Sequence, residues 1–353
     1  MPLLLLFLSR YSIIILKKSI ALPFEKYKKM LKKISVFCCL FLLFQNTKAQ
    51  VKDSVNDGVK YQIYQLSNGE IYTYKKPKFL GMIANIPKDV VGTVHKMGEN
   101  SNLIALGSSL VATVALLPAD QYLLERSREI GEKLGMEEVA RYKNFGPLNN
   151  IPPNLTSGIY LIGNGTTPLL LSMGFATYGL IKHDYRSLNT ASGLVESLAV
   201  SGVFSQTIKR ITGRQSPAPA IMDGNPGGNW SPFPSFKGYA ANTPNYDAMP
   251  SGHMMTATSA LYVIMGNYPE KKWIRPVGFG LIGLLGFQMV QSEVHWVSDY
   301  PIAMVMGYII GKNIANSKIK KNSLHVGEVK KYHFNLDASR RYGYNLVGAS
   351  LTF

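Results

Sequence analysis

Cysteine is nearly absent from this 353-residue sequence, and its two cysteines, Cys38 and Cys39, lie together in one apolar stretch near the N-terminus. Without that stretch the chain contains no cysteine, which excludes disulfides, thiolate nucleophiles and cysteine-ligated metals. Charged residues are also scarce at 17%, and so low a share favours a membrane protein or a large apolar bundle. Hydrophobic residues make up 46% of the chain, so wholesale disorder is excluded.

Acidic residues are few, with 21 Asp and Glu against 38 Lys and Arg, and the formal net charge is +17. Residues 1–49 contain nine of the basic residues and a single acid, Glu25, which leaves +9 on the rest of the chain. Such an excess fits nucleic acid, an anionic membrane surface or a phosphate-bearing substrate. Nucleic acid is disfavoured as a partner because the chain after residue 49 has no extended basic–aromatic array.

The N-terminal segment has the pattern of an export signal. After Met30 the sequence has a basic start, an eleven-residue apolar stretch at 34–44 and a small residue, Ala49, at a cleavage position. The stretch is shorter than the roughly 20 residues that span a bilayer, so a cleaved signal peptide is favoured over a permanent anchor. Met30 is then the expected start, the alternative being that residues 1–29 form a further membrane-associated segment. We therefore expect export to the bacterial cell envelope.

Long uninterrupted hydrophobic runs are also lacking. Apolar runs of mostly 11 to 18 residues recur from about residue 83, each bounded by Pro, Gly, Asn or charge. They predict six core helices, at 103–117, 158–181, 191–208, 254–265, 276–291 and 301–314, with a polar helix at about 121–134. The longest run is interrupted by Gly163-Asn164-Gly165 and Pro168. Two alternatives fit these lengths: a compact bundle buried on all sides, or a membrane bundle with a polar interior.

Strand-like segments flank the helical region. Residues 51–79 alternate aromatic and polar side chains around Ser67-Asn68-Gly69, which predicts a hairpin. The tail after Lys321 predicts two strands that pair either with each other or with this hairpin. We expect an all-α fold, a six-helix bundle with short β-hairpin segments at its ends. The predicted divisions are 1–49 (upstream segment and signal peptide), 50–95 (hairpin and linker), 96–320 (helical domain) and 321–353 (tail).

Candidate catalytic and anion-binding residues lie at three predicted helix–loop junctions. Pro250-Ser251-Gly252-His253 ends a long loop, 216–250, and Ser251 is a candidate N-cap for a helix whose first N–H groups face an anion. The loop is either a lid or a packed surface loop. His295 and Asp299 precede the sixth helix, and the carboxylate can accept from one imidazole nitrogen while the other stays free as a nucleophile.

The third junction is the end of the third predicted helix. Lys209, Arg210 and Arg214 lie there and face the same loop. Together, the three motifs resemble those of the type 2 phosphatidic acid phosphatase superfamily, which also contains vanadium haloperoxidases and bacterial acid phosphatases. The family pattern is Lys-x6-Arg-Pro, then Pro-Ser-Gly-His, then Ser-Arg-x5-His-x3-Asp. The second motif matches in full, and the resemblance covers roughly residues 100–315.

The resemblance implies a role for each matched residue. His295 would attack phosphorus to form a phosphohistidine, Asp299 would orient His295, and His253 would protonate the leaving oxygen. The phosphoryl oxygens would be held by Lys209, Ser251 and Gly252. The implied reaction is metal-independent and uses no cofactor, and no Cys, His and Asp cluster in the sequence has metal-ligand spacing.

Two arginines of the family pattern are missing. Ser216 and Met289 stand at their positions, and losing one transition-state charge contact lowers a rate by about 10²–10³. Arg214, two residues from Ser216, is predicted to substitute as a phosphate ligand. We expect a cell-envelope phosphatase acting on a lipid phosphate, an isoprenyl pyrophosphate or a related phosphate ester. The alternative is a catalytically weakened protein of this fold that binds phosphate or lipid without turnover. A haloperoxidase is disfavoured because a site with fewer cations retains vanadate poorly.

Overall fold

The computed structural model describes residues 50–56, 59–66, 69–136, 152, 154–323, 333–341 and 344–352, and every statement of structure below refers to these residues. The upstream segment and signal peptide predicted at 1–49 lie outside them. The described chain is mostly helical. Its α-helices are α1 (Gly81–Ala84), α2 (Ile86–Met97), α3 (Asn100–Leu116), α4 (Asp120–Lys133), α5 (Leu155–Leu161), α6 (Thr166–Lys182), α7 (Tyr185–Thr212), α8 (Pro217–Met222), α9 (Phe236–Ala241), α10 (Gly252–Asn267), α11 (Ile274–Gln291) and α12 (Tyr300–Lys318).

The prediction of a helical fold is confirmed, but the count of six core helices is not. Each predicted apolar run lies in a helix, and the run at 158–181 is divided into α5 and α6 around its Gly-Asn-Gly interruption. Helix α2 is an additional helix, since most of it lies in the segment 50–95 that the sequence predicts to be a hairpin and linker. It carries Pro87 in its first turn and the polar Asp89 and Thr93 on its buried face, so it lacks the continuous apolar run that marks the other helices.

Strands form two separate sheets. The first is antiparallel in the order β1 (Gln50–Asn56), β2 (Val59–Gln65), β3 (Glu70–Lys75) and β4 (Ile319–Ser323). The predicted hairpin is therefore present as β2–β3, and β4, which directly follows α12, is added to its edge with Tyr72 opposite Lys321. The second sheet pairs β5 (His333–Arg341) with β6 (Tyr344–Thr352), so the two tail strands pair with each other.

The centre of the helical part is built on α7, α10 and α12. Helix α12 approaches α10 so closely that a Cβ at Gly307 would lie 2.6 Å from the carbonyl oxygen of Met255, and one at Gly311 would lie 2.4 Å from that of Ser259. Larger residues at these two positions would push the helices apart. The apolar core around this contact includes Leu194, Val200, Met255, Val263, Met306, Ile310 and Ile314. Close packing here fixes the ends of the helices that carry the site.

Large apolar side chains are exposed on the outer helices. In the part of the chain that the structure describes, two helical stretches are long and apolar enough to cross a membrane by length and composition alone. They are Asn100–Lys133 and Ile274–Gln291, in which an 18-residue window has a mean hydropathy of 1.7 and 1.2, respectively. The first is only 17% buried over its most apolar window. Its exposed residues include Leu103, Ile104, Leu110, Val111 and Val114.

Candidate active site

Three chain segments bring the predicted motif residues together. Helix α7 ends at Thr212 and is capped by Gly213, which has a φ of +57° and whose N–H donates to the carbonyl of Lys209. A Cβ at Gly213 would lie 1.8 Å from the carbonyl oxygen of Ser231, so the turn that follows α7 requires glycine. The Nζ of Lys209 lies 3.9 Å from where a Cβ on Gly252 would stand. The end of α7 therefore faces the beginning of α10.

The beginning of α10 is joined to the third motif through the backbone. Ser251 caps the helix by accepting the Met254 N–H at 3.3 Å, and its own N–H donates to the carbonyl of Asp299 at 3.2 Å. The rings of His253 and His295 meet edge to face, with centroids 6.0 Å apart. The two histidines that the sequence singles out thus lie side by side at the N-terminus of a helix.

His295 is held by Asp299, as the spacing predicts. Its Nδ1 lies 3.4 Å from Asp299 Oδ2, and the same carboxylate oxygen accepts the Trp296 N–H at 2.9 Å. Both His295 and Asp299 are buried. Because Nδ1 faces the carboxylate, Nε2 is the ring nitrogen that remains for chemistry.

Arg214 lies behind Asp299, which differs from its predicted role as a phosphate ligand. Its guanidinium donates to Asp299 Oδ1 at 2.7 Å, Ser298 Oγ at 2.6 Å, Asp120 Oδ2 at 2.6 Å and the Gly227 carbonyl at 2.8 Å. Arg214, Asp120 and Asp299 are fully buried. All four terminal N–H donors are therefore used on protein acceptors, and the guanidinium stabilises the carboxylate that orients His295.

Asp120, the first residue of α4, is a member of the site that sequence reasoning missed. Besides pairing with Arg214, it accepts the Ser298 N–H at 3.0 Å and the Ser298 hydroxyl through its second oxygen. It belongs to no motif and begins a helix whose sequence is polar. Asp120 directly follows the short 3-10 turn Leu117–Ala119. Nothing in the sequence at this position indicates that its partners lie far along the chain.

His253 is partly buried and packs against Tyr160 and Gly163. Its ring lies 4.6 Å from that of Tyr160 on α5, centroid to centroid. Gly163 packs on it so closely that a Cβ there would stand 2.7 Å from the His253 Cβ. Burial, then the nearby His295 and Lys209, lower the pKa of His253 from 6.5 to about 3. The histidine is therefore neutral at pH 7 before a substrate binds.

Lys209 has a carboxylate partner that no motif includes. Its Nζ lies 3.3 Å from Asp247 Oδ2, and the other oxygen of Asp247 accepts the Ser216 hydroxyl at 3.2 Å. Ser216 stands at one family arginine position and contributes no charge. At the other, Met289 is fully buried in the apolar core, so its side chain has no access to a ligand.

The long loop contacts the site through its middle and near its C-terminal end. Arg214 bridges by backbone to Trp230 and Asp247, and the indole N–H of Trp296 donates to the Gln215 carbonyl at 2.8 Å. Arg210, at the end of α7, covers the ring of Tyr239 at 3.9 Å.

Among the described residues, no group of three His, Cys, Asp or Glu side chains is arranged to hold a metal ion.

Comparison with known proteins identifies the segment that carries the site. Residues 190–322 match the family model of the PAP2 superfamily, and this range includes every motif residue named above. The resemblance to the type 2 phosphatidic acid phosphatase superfamily is thereby confirmed. Among solved structures the chain is similar to one described as the first transmembrane PAP2 type phosphatidylglycerolphosphate phosphatase from Bacillus subtilis. That match has 15% identity, covers 68% of this chain and 96% of the other, and has a TM-score of 0.36. Comparison with curated proteins gave no significant match.

Proposed function

We propose that this chain is a metal-independent phosphohydrolase that cleaves a lipid phosphate, an isoprenyl pyrophosphate or a related phosphate ester through a phosphohistidine on His295. The observation that carries the proposal is the pair of neighbouring histidines with ring centroids 6.0 Å apart, of which the buried His295 is oriented by Asp299. Phosphoryl transfer depends mainly on in-line placement and on neutralisation of the equatorial oxygens. A fixed imidazole nucleophile with a second imidazole opposite supplies the first requirement.

The first half of the reaction forms the covalent intermediate. The lone pair of His295 Nε2 attacks phosphorus, and the bond from phosphorus to the leaving oxygen breaks. His253, in its protonated form, gives its proton to that oxygen, so the leaving oxygen of the alcohol or phosphate does not develop a full negative charge. Asp299, held by Arg214, stabilises the positive charge that develops on His295.

The second half releases phosphate. Water attacks the phosphohistidine while neutral His253 accepts one of its protons. This proton leaves with the released phosphate, so His253 is neutral again before the next substrate binds. Lys209, the Ser251 hydroxyl and the Gly252 N–H at the start of α10 hold the phosphoryl oxygens in both steps, because a helix N-terminus favours an anion. Arg214 acts in this scheme as a positioning residue.

The low pKa of His253 fits this scheme only if its proton arrives with the substrate. In the free protein, burial and the nearby His295 and Lys209 keep His253 neutral. A phosphate monoester loses its second proton at a pKa of about 6, so a monoanionic substrate can deliver the required proton. Its negative charge also offsets the repulsion that Lys209 exerts on a protonated His253.

The exposed apolar helices support a membrane-associated protein and a lipid substrate. Helix α3 presents large apolar side chains such as Ile104 and Val111 on its outer face, and the stretch Asn100–Lys133 is long enough to cross a bilayer. Location in the cell envelope rests on the predicted signal at 1–49.

A specific observation favours the second candidate, a protein that binds phosphate or lipid without turnover. Ser216 and Met289 provide no positive charge where the family has arginine. The cation predicted to replace them, Arg214, has its terminal donors committed to Asp120, Asp299 and their neighbours.

Phosphate release from phosphatidate, an isoprenyl pyrophosphate and p-nitrophenyl phosphate tests the two candidates. We expect turnover by the wild-type chain and its loss in His295→Ala, with His95→Ala, an exposed histidine on α2, as the matched control. Full activity of His295→Ala would refute the mechanism. No turnover on any substrate, together with measurable phosphate binding, would support the second candidate.

A further inference from the structure

The carboxylate of Asp247 lies where the substrate phosphate is expected to bind. It contacts Lys209, the proposed phosphate ligand, and Ser216, which stands where the family pattern has arginine. The ring of Tyr160 packs on His253. Burial is the largest cause that raises the pKa of Tyr160, and the charge of Asp247 is the second. Asp247 therefore has a direct contact with one side of the site and an electrostatic effect on the other.

This carboxylate changes what the site can accept. The side chain of Lys209 is buried, whereas that of Asp247 is 27% exposed, so the carboxylate is accessible to a ligand that reaches the lysine. A phosphate dianion bound at Lys209 would lie beside this negative charge, and close like charges repel strongly where water is scarce. The phosphate would be accepted more readily if its own molecule carried a positive charge next to it.

We propose that Asp247 is a specificity-determining residue that selects phosphates bearing an ammonium group two or three atoms from phosphorus. The ammonium pairs with Asp247 Oδ1 and Oδ2, and the phosphate takes over Lys209. Ser216, which is small and neutral, leaves room beside Asp247 that an arginine side chain would fill. This inference rests on the proposed function, since it takes the phosphoryl position from that mechanism.

Two phosphonates of equal size test the proposal without requiring turnover. 2-Aminoethylphosphonate and propylphosphonate differ only in an ammonium against a methyl group, and titration calorimetry with the full chain in detergent gives both affinities. For the wild-type chain we expect about tenfold tighter binding of the aminoethyl ligand, which corresponds to about 1.4 kcal/mol. Equal binding of the two ligands, or binding of neither, would overturn the proposal.

Substitution of Asp247 gives the second half of the test. Asp247→Asn keeps the shape of the side chain and releases Lys209, so we expect propylphosphonate to bind more tightly and the preference for the ammonium to disappear. Asp247→Ser, a smaller residue, should do the same, and thermal unfolding checks that each variant is folded. Asp53→Asn, at an exposed carboxylate of β1, is the matched control and should keep the wild-type preference. A preference that persists in both Asp247 variants would refute the assignment.

The outcome separates this proposal from the proposed function. Ammonium selectivity in binding with no phosphate release from any ester would leave Asp247 as the selector in a protein without catalysis. Turnover that His295→Ala abolishes, with equal affinity for the two phosphonates, would retain the mechanism and refute the role of Asp247.

Discussion

Replacement of Arg214 by methionine tests the buried ion network directly. The substitution removes a guanidinium that makes hydrogen bonds of 2.6 Å to Asp120 and 2.7 Å to Asp299, both fully buried. Breaking a buried pair by deleting one partner destabilises a protein by about 3–5 kcal/mol, because the other charge stays buried. Two carboxylates lose their cation here, so we expect about 5 kcal/mol. That is a large part of the total stability of a typical domain.

Thermal unfolding in detergent, followed by circular dichroism, measures this loss. At about 2 °C for each kcal/mol in a chain of this size, the Tm should fall by roughly 10 °C. Arg210→Met is the matched control at the same helix end, where the guanidinium covers the ring of Tyr239 and a cation–π contact contributes about 1 kcal/mol. Equal Tm losses for the two variants would refute the account of Arg214.

Arg214→Lys separates positioning from phosphate binding. Lysine keeps the charge but cannot reach the acceptors on both Asp120 and Asp299, so His295 loses its fixed orientation. We expect kcat to fall by about 10²-fold with KM little changed. A rise in KM with kcat retained would show that position 214 contacts the phosphate instead.

Three further predictions concern burial and close packing. Burial lowers the pKa of His253 in the folded chain to about 3. Below pH 6.5 this histidine therefore binds a proton in the unfolded chain but not in the folded one. The free energy of unfolding should fall less with acidification in His253→Asn than in the wild type. Burial and then Glu196 raise the pKa of Asp89 from 3.8 to about 7. The stability that protonated Asp89 contributes to the folded chain is therefore lost as the pH rises. Asp89→Asn should raise the Tm at pH 8 but not at pH 4. Gly163→Ala places a Cβ 2.6 Å from a Leu285 methyl group and 2.7 Å from the His253 Cβ, so phosphate release should fall at least tenfold; unchanged release would contradict this packing.

The sequence predicts those parts of the site whose partners are close along the chain. His295 and Asp299 are four residues apart, and Ser251 caps the helix that begins at Gly252 and has His253 as its second residue. Likewise, the predicted helix at 276–291 is observed as Ile274–Gln291, because charge and Pro bound the apolar run. In each case local geometry determines the arrangement, so the residue pattern is sufficient.

Long-range partners could not be predicted from the pattern. Asp120 lies 94 positions before Arg214, and Asp247 lies 38 positions after Lys209. Neither contact has a periodic or motif signal, since each depends on how the helices pack. The pairing of β4 with β3 is similarly remote, with Tyr72 opposite Lys321. The sequence predicts Arg214 as a phosphate ligand, whereas the structure places its guanidinium on the carboxylates of Asp120 and Asp299. The distant Asp120 is not recognisable from the residue pattern.

The central claim is that His295 becomes covalently phosphorylated. Rapid acid-free quenching of the chain during turnover of a ³²P-labelled phosphate ester, followed by gel electrophoresis, measures the intermediate directly. We predict a protein-bound label that is stable to base, labile to acid and absent from His295→Asn, whereas His95→Ala retains it. Turnover of the ester by the wild-type chain with no labelled protein, or equal labelling of His295→Asn, would contradict the account.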